Sequence, residues 1–257
     1  MGTDNSQDKE VVVLLHGILK SRFDMVAVAT YLRNKDYDVI NLSYPSRHHT
    51  LEELADYVDG ELSKEGVADR FNNASKVHFV THSMGGLVAR YYLHTHRPDN
   101  LGRVVMMSPP NQGSEFANWM MEASSLRDLA DNEITGKLTE MQTLQKIYRD
   151  VFGPAGAQLH TEHEHSIDPV VDFPLGVIAG NLSINPLAPW VLGQDEGGHD
   201  GIVPIARMRI DGMTDMIEMK ATHSLMMYNP QVMKQIDHFL KHEKFDHEKF
   251  DKGPGPL

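Results

Sequence analysis

Cysteine is absent from the 257 residues, which excludes disulfides and thiol chemistry and leaves the redox compartment open. Positive charge is scarce: 24 Lys and Arg stand against 36 Asp and Glu, a net charge of −12. That balance disfavours a polyanionic partner such as nucleic acid, and it gives no electrostatic attraction to an anionic membrane. Long apolar runs are missing too. No stretch approaches the roughly 18 residues that a membrane helix needs, so no integral membrane association is expected. The start, Met1 to Glu10, is polar and acidic and lacks the pattern of a signal peptide. The expectation is a cytoplasmic protein, although a processed secreted form given a new Met would read the same. Met1-Gly2 with Ser6 fits an N-myristoylation pattern that is too short to carry weight.

What remains is the composition of an ordinary globular protein, 40% hydrophobic and 23% charged, long enough for one large α/β domain. Val11 to Leu15 is a continuous apolar run of strand length, as in a parallel strand covered on both faces. Ser21 with Asp24 has the spacing of a capping box, and Met25 to Leu32 then reads as a helix. Tyr37 to Leu42 is the second strand. Thr50 with Glu53 is another capping box, opening a helix to about Leu62. Lys76 to Val80 is the third strand, followed by a helix to about His96, and Arg103 to Met107 is the fourth. Strands alternating with helices at this spacing predict a mostly parallel central sheet flanked by helices.

The alternation stops between Pro110 and Phe173. A gap of that size is far longer than a normal connection. Phe116, Trp119, Met120 and Ala123 predict an amphipathic helix capped by Ser114, and Ile134, Leu138, Met141 and Ile147 predict a second. Gly153 to Pro169 reads as loop. Phe173 to Ala179 resumes the strands, 181–203 is a long irregular loop, and Met216 to Lys220 is the last strand. Asn229 and Pro230 start a final helix to about His242. The tail repeats His242-Glu243-Lys244-Phe245-Asp246 at once as 247–251, and is expected to be frayed over about 243–257.

Chemistry concentrates at Thr81-His82-Ser83-Met84-Gly85-Gly86, where an apolar strand meets a helix. A serine between small residues at such a junction is a nucleophile elbow, the tight turn lifting its hydroxyl clear of the sheet. The strict pattern asks for Gly where Thr81 stands, and a serine at a helix start is often only a cap. A nucleophile needs a base, and the base an orienting carboxylate, in the chain order serine, acid, histidine. His223 follows the last strand and precedes the last helix, as the base should. Asp200, in His199-Asp200-Gly201-Ile202-Val203-Pro204, suits the acid better than Asp195, Glu196 or Asp172. The competing reading of Asp200 is an Asp-Gly turn. An oxyanion hole would use the Met84 N–H, directly after the serine, and the Ile18 N–H in His16-Gly17-Ile18.

On Leu14-Leu15-His16-Gly17, Thr81 to Gly86, Ser108 to Ser114, Asp200 to Pro204 and His223, the chain resembles the α/β-hydrolase superfamily, and within it bacterial lipases and esterases. The resemblance runs from Val11 to Leu240. It implies a single α/β-hydrolase domain over 1–257, with residues of about 111–172 as a helical cap or lid. It implies a serine carboxylester hydrolase with Ser83 as nucleophile, His223 as base and Asp200 as acid, acting on a small-molecule or lipid ester. The same residues would serve an acyltransferase, thioesterase or amidase, and a binding module on this scaffold would be expected to lack one of them. No cofactor is expected. His160, His163 and His165, with Glu162, Glu164 and Asp168, hold zinc-type donors, but alternating His and Glu in a loop reads as solvated surface, so no metal is expected either. Phe116, Trp119, Met120, Leu187, Trp190, Val191 and Leu192 supply apolar groups for an acyl site or for packing the cap.

Overall fold

The structure, a computed structural model, describes residues 9–122, 150, 152–192 and 197–248. Its centre is one sheet of six strands: β1 (Val11–Leu15), β2 (Asp38–Asn41), β3 (Val77–His82), β4 (Leu101–Met107), β5 (Leu175–Gly180) and β6 (Asp215–Met219). The spatial order is β2-β1-β3-β4-β5-β6, and every pairing is parallel. The five apolar residues of β1 divide by parity. Val11, Val13 and Leu15 enter the core on one face, and Val12 and Leu14 enter the core on the other. Each such side chain, fully removed from water, stabilises the fold by roughly 1.5–3 kcal/mol.

Helices α2 (Leu51–Leu62) and α4 (Gly85–Thr95) pack together over the first face. The second face is covered by α1 (Val26–Arg33) and the final helix, Pro230–His242. The chain leaves β1 for β2 on one side and then crosses to β3 on the other. β1 and β3 therefore flank the point where the winding reverses, the place at which open parallel sheets hold their ligands. The loop after β1 and the elbow after β3 both open there.

The expected capping box at Thr50 is present in both halves: Glu53 N–H donates to Thr50 Oγ1 and Thr50 N–H to the Glu53 carboxylate. Ser21 and Asp24 behave differently. Asp24 accepts from the Ser21 N–H (2.8 Å) and hydroxyl (3.2 Å), but the Asp24 N–H goes to the Ser21 carbonyl. The chain runs through successive i to i+3 turns there, and α1 opens after Met25 without a side-chain cap. A short helix, α3 (Ala68–Asn72), was not anticipated. Helix α5 (Glu115–Glu122) follows Ser114 as expected, and Ser114 Oγ accepts from the Phe116 N–H. The second expected helix of the insertion lies outside the described residues, as does the side chain of Met120.

The frayed tail expected from residue 243 does not begin there. Phe245 is 2% exposed and packs its ring at a tilt on Phe239 at 4.9 Å, while its N–H donates to Asp215 (2.7 Å). Gln235 exchanges two hydrogen bonds with the Asp246 backbone. The first copy of the repeat is docked; residues 249–257 lie outside the described residues. Among the described residues no helix is long and apolar enough to cross a membrane.

Candidate active site

Ser83 sits at the turn between β3 and α4 with φ 54°, a left-handed conformation that non-glycine residues seldom adopt. Its N–H is held by the Met107 carbonyl of β4 (2.9 Å), and its own carbonyl accepts from Gly86 (2.9 Å). The turn is possible because the neighbours are bare. A Cβ on Gly85 would stand 2.6 Å from the carbonyl oxygens of both Leu15 and His16. A Cβ on Gly86 would meet Pro109 at 3.0 Å and Thr81 Oγ1 at 3.4 Å. Thr81, standing where the strict motif has glycine, is buried, its hydroxyl has no partner among the described residues, and it fits in the space that Gly86 leaves. A Cβ on Gly17 would lie 3.0 Å from Ser83 Cβ, so the β1 loop passes directly over the serine.

The structure brings the three predicted side chains into one chain of hydrogen bonds. Ser83 Oγ lies 2.9 Å from His223 Nε2, and His223 Nδ1 lies 2.6 Å from Asp200 Oδ2. The other Asp200 oxygen accepts the N–H groups of Ile202 (3.0 Å) and Val203 (2.9 Å), and the His223 N–H donates to the Asp200 carbonyl (3.0 Å). Gly201, at φ 101°, makes this tight loop possible. Burial alone would raise the Asp200 carboxyl pKa. The His223 charge and hydrogen bond, the Val203 N–H and the Ser108 hydroxyl outweigh it, and the net direction is down. Of the rejected acids, Asp172 pairs with Arg97 at the surface, and Asp195 and Glu196 lie outside the described residues.

Three supporting residues escaped the sequence reading. Ser108, buried at the end of β4 with φ 47°, accepts the Gly180 N–H (3.3 Å) on the hydroxyl that supports Asp200. The signal available for it was only a serine directly off a buried strand. His82 reads in the sequence only as a neighbour of the serine. It is buried, and its Nε2 donates to the His223 carbonyl (2.8 Å) while Nδ1 has no partner among the described residues. Burial, with the nearby His223 charge, pushes its pKa down to about 3. Tyr44 holds the loop after β1: its ring stacks on His16 at 4.1 Å, its N–H donates to His16 Nε2 (3.3 Å), and its hydroxyl donates to the His16 carbonyl. His16 is thus a brace, kept neutral by burial.

The α/β-hydrolase fold family matches residues 10–192, most of the chain. This protein belongs to the α/β-hydrolase family. No curated protein matches this hydrolase in sequence. Among solved structures it is similar to the mature Bacillus licheniformis lipase BlEst2, at 17% identity and TM-score 0.57, covering 94% of each chain. It is also similar to the RedJ thioesterase of Streptomyces coelicolor, at 13% identity and TM-score 0.55, covering 94% of this chain and 90% of that one. A hydrolase from Oleispira antarctica matches at 17% identity and TM-score 0.54, over 91% and 92%. Identities this low speak for the fold.

Around the site of this hydrolase, Trp119 of α5 meets Trp190 edge to face at 5.8 Å and Phe116 at 5.6 Å, joining the insertion to the loop after β5. Phe116 is buried; Trp190 remains 63% exposed. His160, His163 and His165 stack edge to face at 5.4 and 4.8 Å, and His165 Nδ1 meets the Tyr91 hydroxyl at 3.0 Å. Burial, with His163 and Arg90 nearby, brings His165 down to about 4. No three His, Asp or Glu side chains among the described residues are arranged to hold a metal.

Proposed function

We propose that this protein is a serine carboxylester hydrolase working through an acyl-enzyme intermediate. The observation that carries the reading is the continuous Ser83–His223–Asp200 hydrogen-bond chain, with the serine held at positive φ. Ser83 Oγ attacks the ester carbonyl and forms the C–O bond as His223 Nε2 takes the hydroxyl proton. The imidazolium returns that proton to the departing alcohol, and water deacylates the enzyme by the same route. Asp200 holds Nδ1–H toward itself, which leaves the Nε2 lone pair facing the serine. The oxyanion is received by the N–H groups of Met84 and Ile18. Neither donates to another described residue, and Met84 opens α4, where the helix dipole favours negative charge.

The described parts of the insertion, residues 111–122 and 152–172, serve this site as a cap. Two contacts support that role: the Trp119–Trp190 pair, and the Ile18 side chain, which would lie 3.3 Å from a Cβ on Gly156. The exposed Trp190 and Leu187 offer the apolar wall that an acyl chain needs. Ser83→Ala is expected to lower kcat by about four to six orders of magnitude on a short-chain aryl ester, with the fold intact by circular dichroism. A serine-directed fluorophosphonate should label the wild type on the peptide holding Ser83. Full activity in Ser83→Ala, or no label, would overturn the assignment.

A further inference from the structure

A surface pocket lies between the end of the loop after β1 and the loop that follows β2. Its volume is about 320 Å³, and Leu19, Lys20, Tyr44, Ser46, Arg47 and His48 line it. It begins where the oxyanion loop ends. The Lys20 N–H closes a turn onto the Gly17 carbonyl (3.3 Å), so Lys20 lies within one turn of the glycine that passes over Ser83. The opposite wall is the Tyr44 to His48 loop, tied to the oxyanion loop by the His16–Tyr44 stack. The cavity is thus fixed to the catalytic centre through the same brace that shapes it.

Two features of this cavity are unusual for the chain around it. The first is charge. In a protein of net charge −12, Lys20 and Arg47 both face one pocket, with His48 beside them. Lys20 is anchored by Asp24 at 3.4 Å, and Asp24 is also held by the Ser21 N–H and hydroxyl. Arg47 has no ion-pair partner among the described residues. Its backbone is pinned instead, because the insertion packs so tightly on it that a Cβ at Gly153 would overlap its carbonyl. The second feature is strain. Leu19, which lines the mouth, has φ 59° at the third position of the turn, where glycine is the comfortable residue. That conformation directs the chain so that Leu19 and Lys20 both reach the cavity.

We propose that this pocket receives a phosphate group carried on the leaving-group side of the acyl substrate. The inference rests on the serine-hydrolase reading above and names its substrate class: acyl esters or thioesters whose alcohol or thiol part bears a phosphate. The apolar wall at Trp119 and Trp190 takes the acyl chain, the carbonyl sits at Ser83, and the departing half extends past Ile18 into the pocket. An Arg guanidinium matches two phosphate oxygens with two parallel N–H groups, and a Lys ammonium supplies a point charge to a third. A phosphate, with up to two negative charges, uses both cations where a neutral glycerol would use neither. The local cations act at short range, where the repulsion of the distant acidic surface is screened.

Two matched pairs of hexanoyl substrates test this at concentrations below micelle formation. One is hexanoylglycerol against hexanoylglycerol 3-phosphate; the other is hexanoyl-pantetheine against hexanoyl-phosphopantetheine. In at least one pair the phosphate-bearing member should have a kcat/KM tenfold or more above its neutral partner, chiefly through KM, and the pair that responds identifies lipid or thioester as the source. The ratio should fall toward one in Arg47→Gln and in Lys20→Gln, and fall in the wild type as ionic strength rises. A ratio of one or less in both pairs, with the neutral substrates still turned over, overturns the pocket assignment. So does a ratio unchanged in both variants. Failure to turn over either neutral substrate, with no fluorophosphonate label on Ser83, instead overturns the hydrolase reading on which it rests.

Discussion

His82 makes the stability of this protein dependent on pH in a way that can be counted in protons. Its ring is fully enclosed, Nε2 donates to the His223 carbonyl, and Nδ1 faces Gly17 with no partner among the described residues. A second proton would be a buried charge beside another histidine, and the pKa falls to about 3. In the unfolded chain the same imidazole titrates near the ordinary histidine value of 6.5. Below that pH the unfolded state binds a proton that the folded state refuses, so stability is lost as pH falls. At about 1.4 kcal/mol per unit, the full difference approaches about 5 kcal/mol by pH 3. Between pH 6 and pH 4 this group alone removes about 2–3 kcal/mol. His16, His78 and His165 are also depressed by burial, so the wild-type slope contains several protons. The decisive quantity is the difference between the wild type and His82→Gln, whose amide can still reach the His223 carbonyl but cannot titrate. Urea unfolding followed by circular dichroism at half-unit intervals should show the variant losing about 2–3 kcal/mol less than the wild type from pH 6 to pH 4, whatever its baseline. Parallel curves would refute the claim that His82 is neutral and unprotonated in the fold.

Gly85→Ala would place a methyl 2.6 Å from the carbonyl oxygens of Leu15 and His16 at the end of β1, some tenths of an ångström inside any real contact. Helix α4 must lift, at a cost of about 1–3 kcal/mol, which should lower Tm by roughly 2–10 °C in calorimetry and reduce kcat by about 10²-fold as Ser83 shifts. Ser108→Ala removes the acceptor of the Gly180 N–H and a hydrogen bond to the Asp200 carboxylate. It is expected to lower kcat on a short-chain ester about ten- to hundredfold, the worth of one bond to a charged group, with KM little changed. Wild-type kcat in that variant would show Asp200 sufficiently held by Ile202 and Val203.

The elements most legible in the sequence were those whose signal is local. All six strands lie within two residues of their expected places, because unbroken apolar runs bounded by Gly, Pro and Asn admit little else at that length. The Thr50–Glu53 box formed because a glutamate can reach back across a helical turn. Asp24, one methylene shorter and shared with Lys20, closes a tighter turn instead. Helix α3 escaped because five residues are too few to show a period. The tail escaped for a different reason. Two identical copies of one motif read as low complexity, yet the fold has a single place for the first, against Phe239 and above the bare Gly176. At the site, Ser83, Asp200 and His223 were legible from their position after strands. Ser108 and Tyr44 were not, since their roles exist only once β4 lies beside β5 and β2 beside β1.

The order of the sheet has a consequence for how activity is gained. Ile18, Ser83, Asp200 and His223 follow β1, β3, β5 and β6, and the sheet that aligns them is closed by parallel pairings between segments far apart in sequence. Such pairings form slowly, since each crossover must be ordered before it is rewarded. The N-terminal half can arrange β2, β1, β3 and β4 and so shape the elbow, yet on the proposed mechanism it has neither base nor acid until β5 and β6 dock. On that mechanism, a chain in which β5 and β6 have not docked should show no turnover, so that turnover would report the completion of the last two strands.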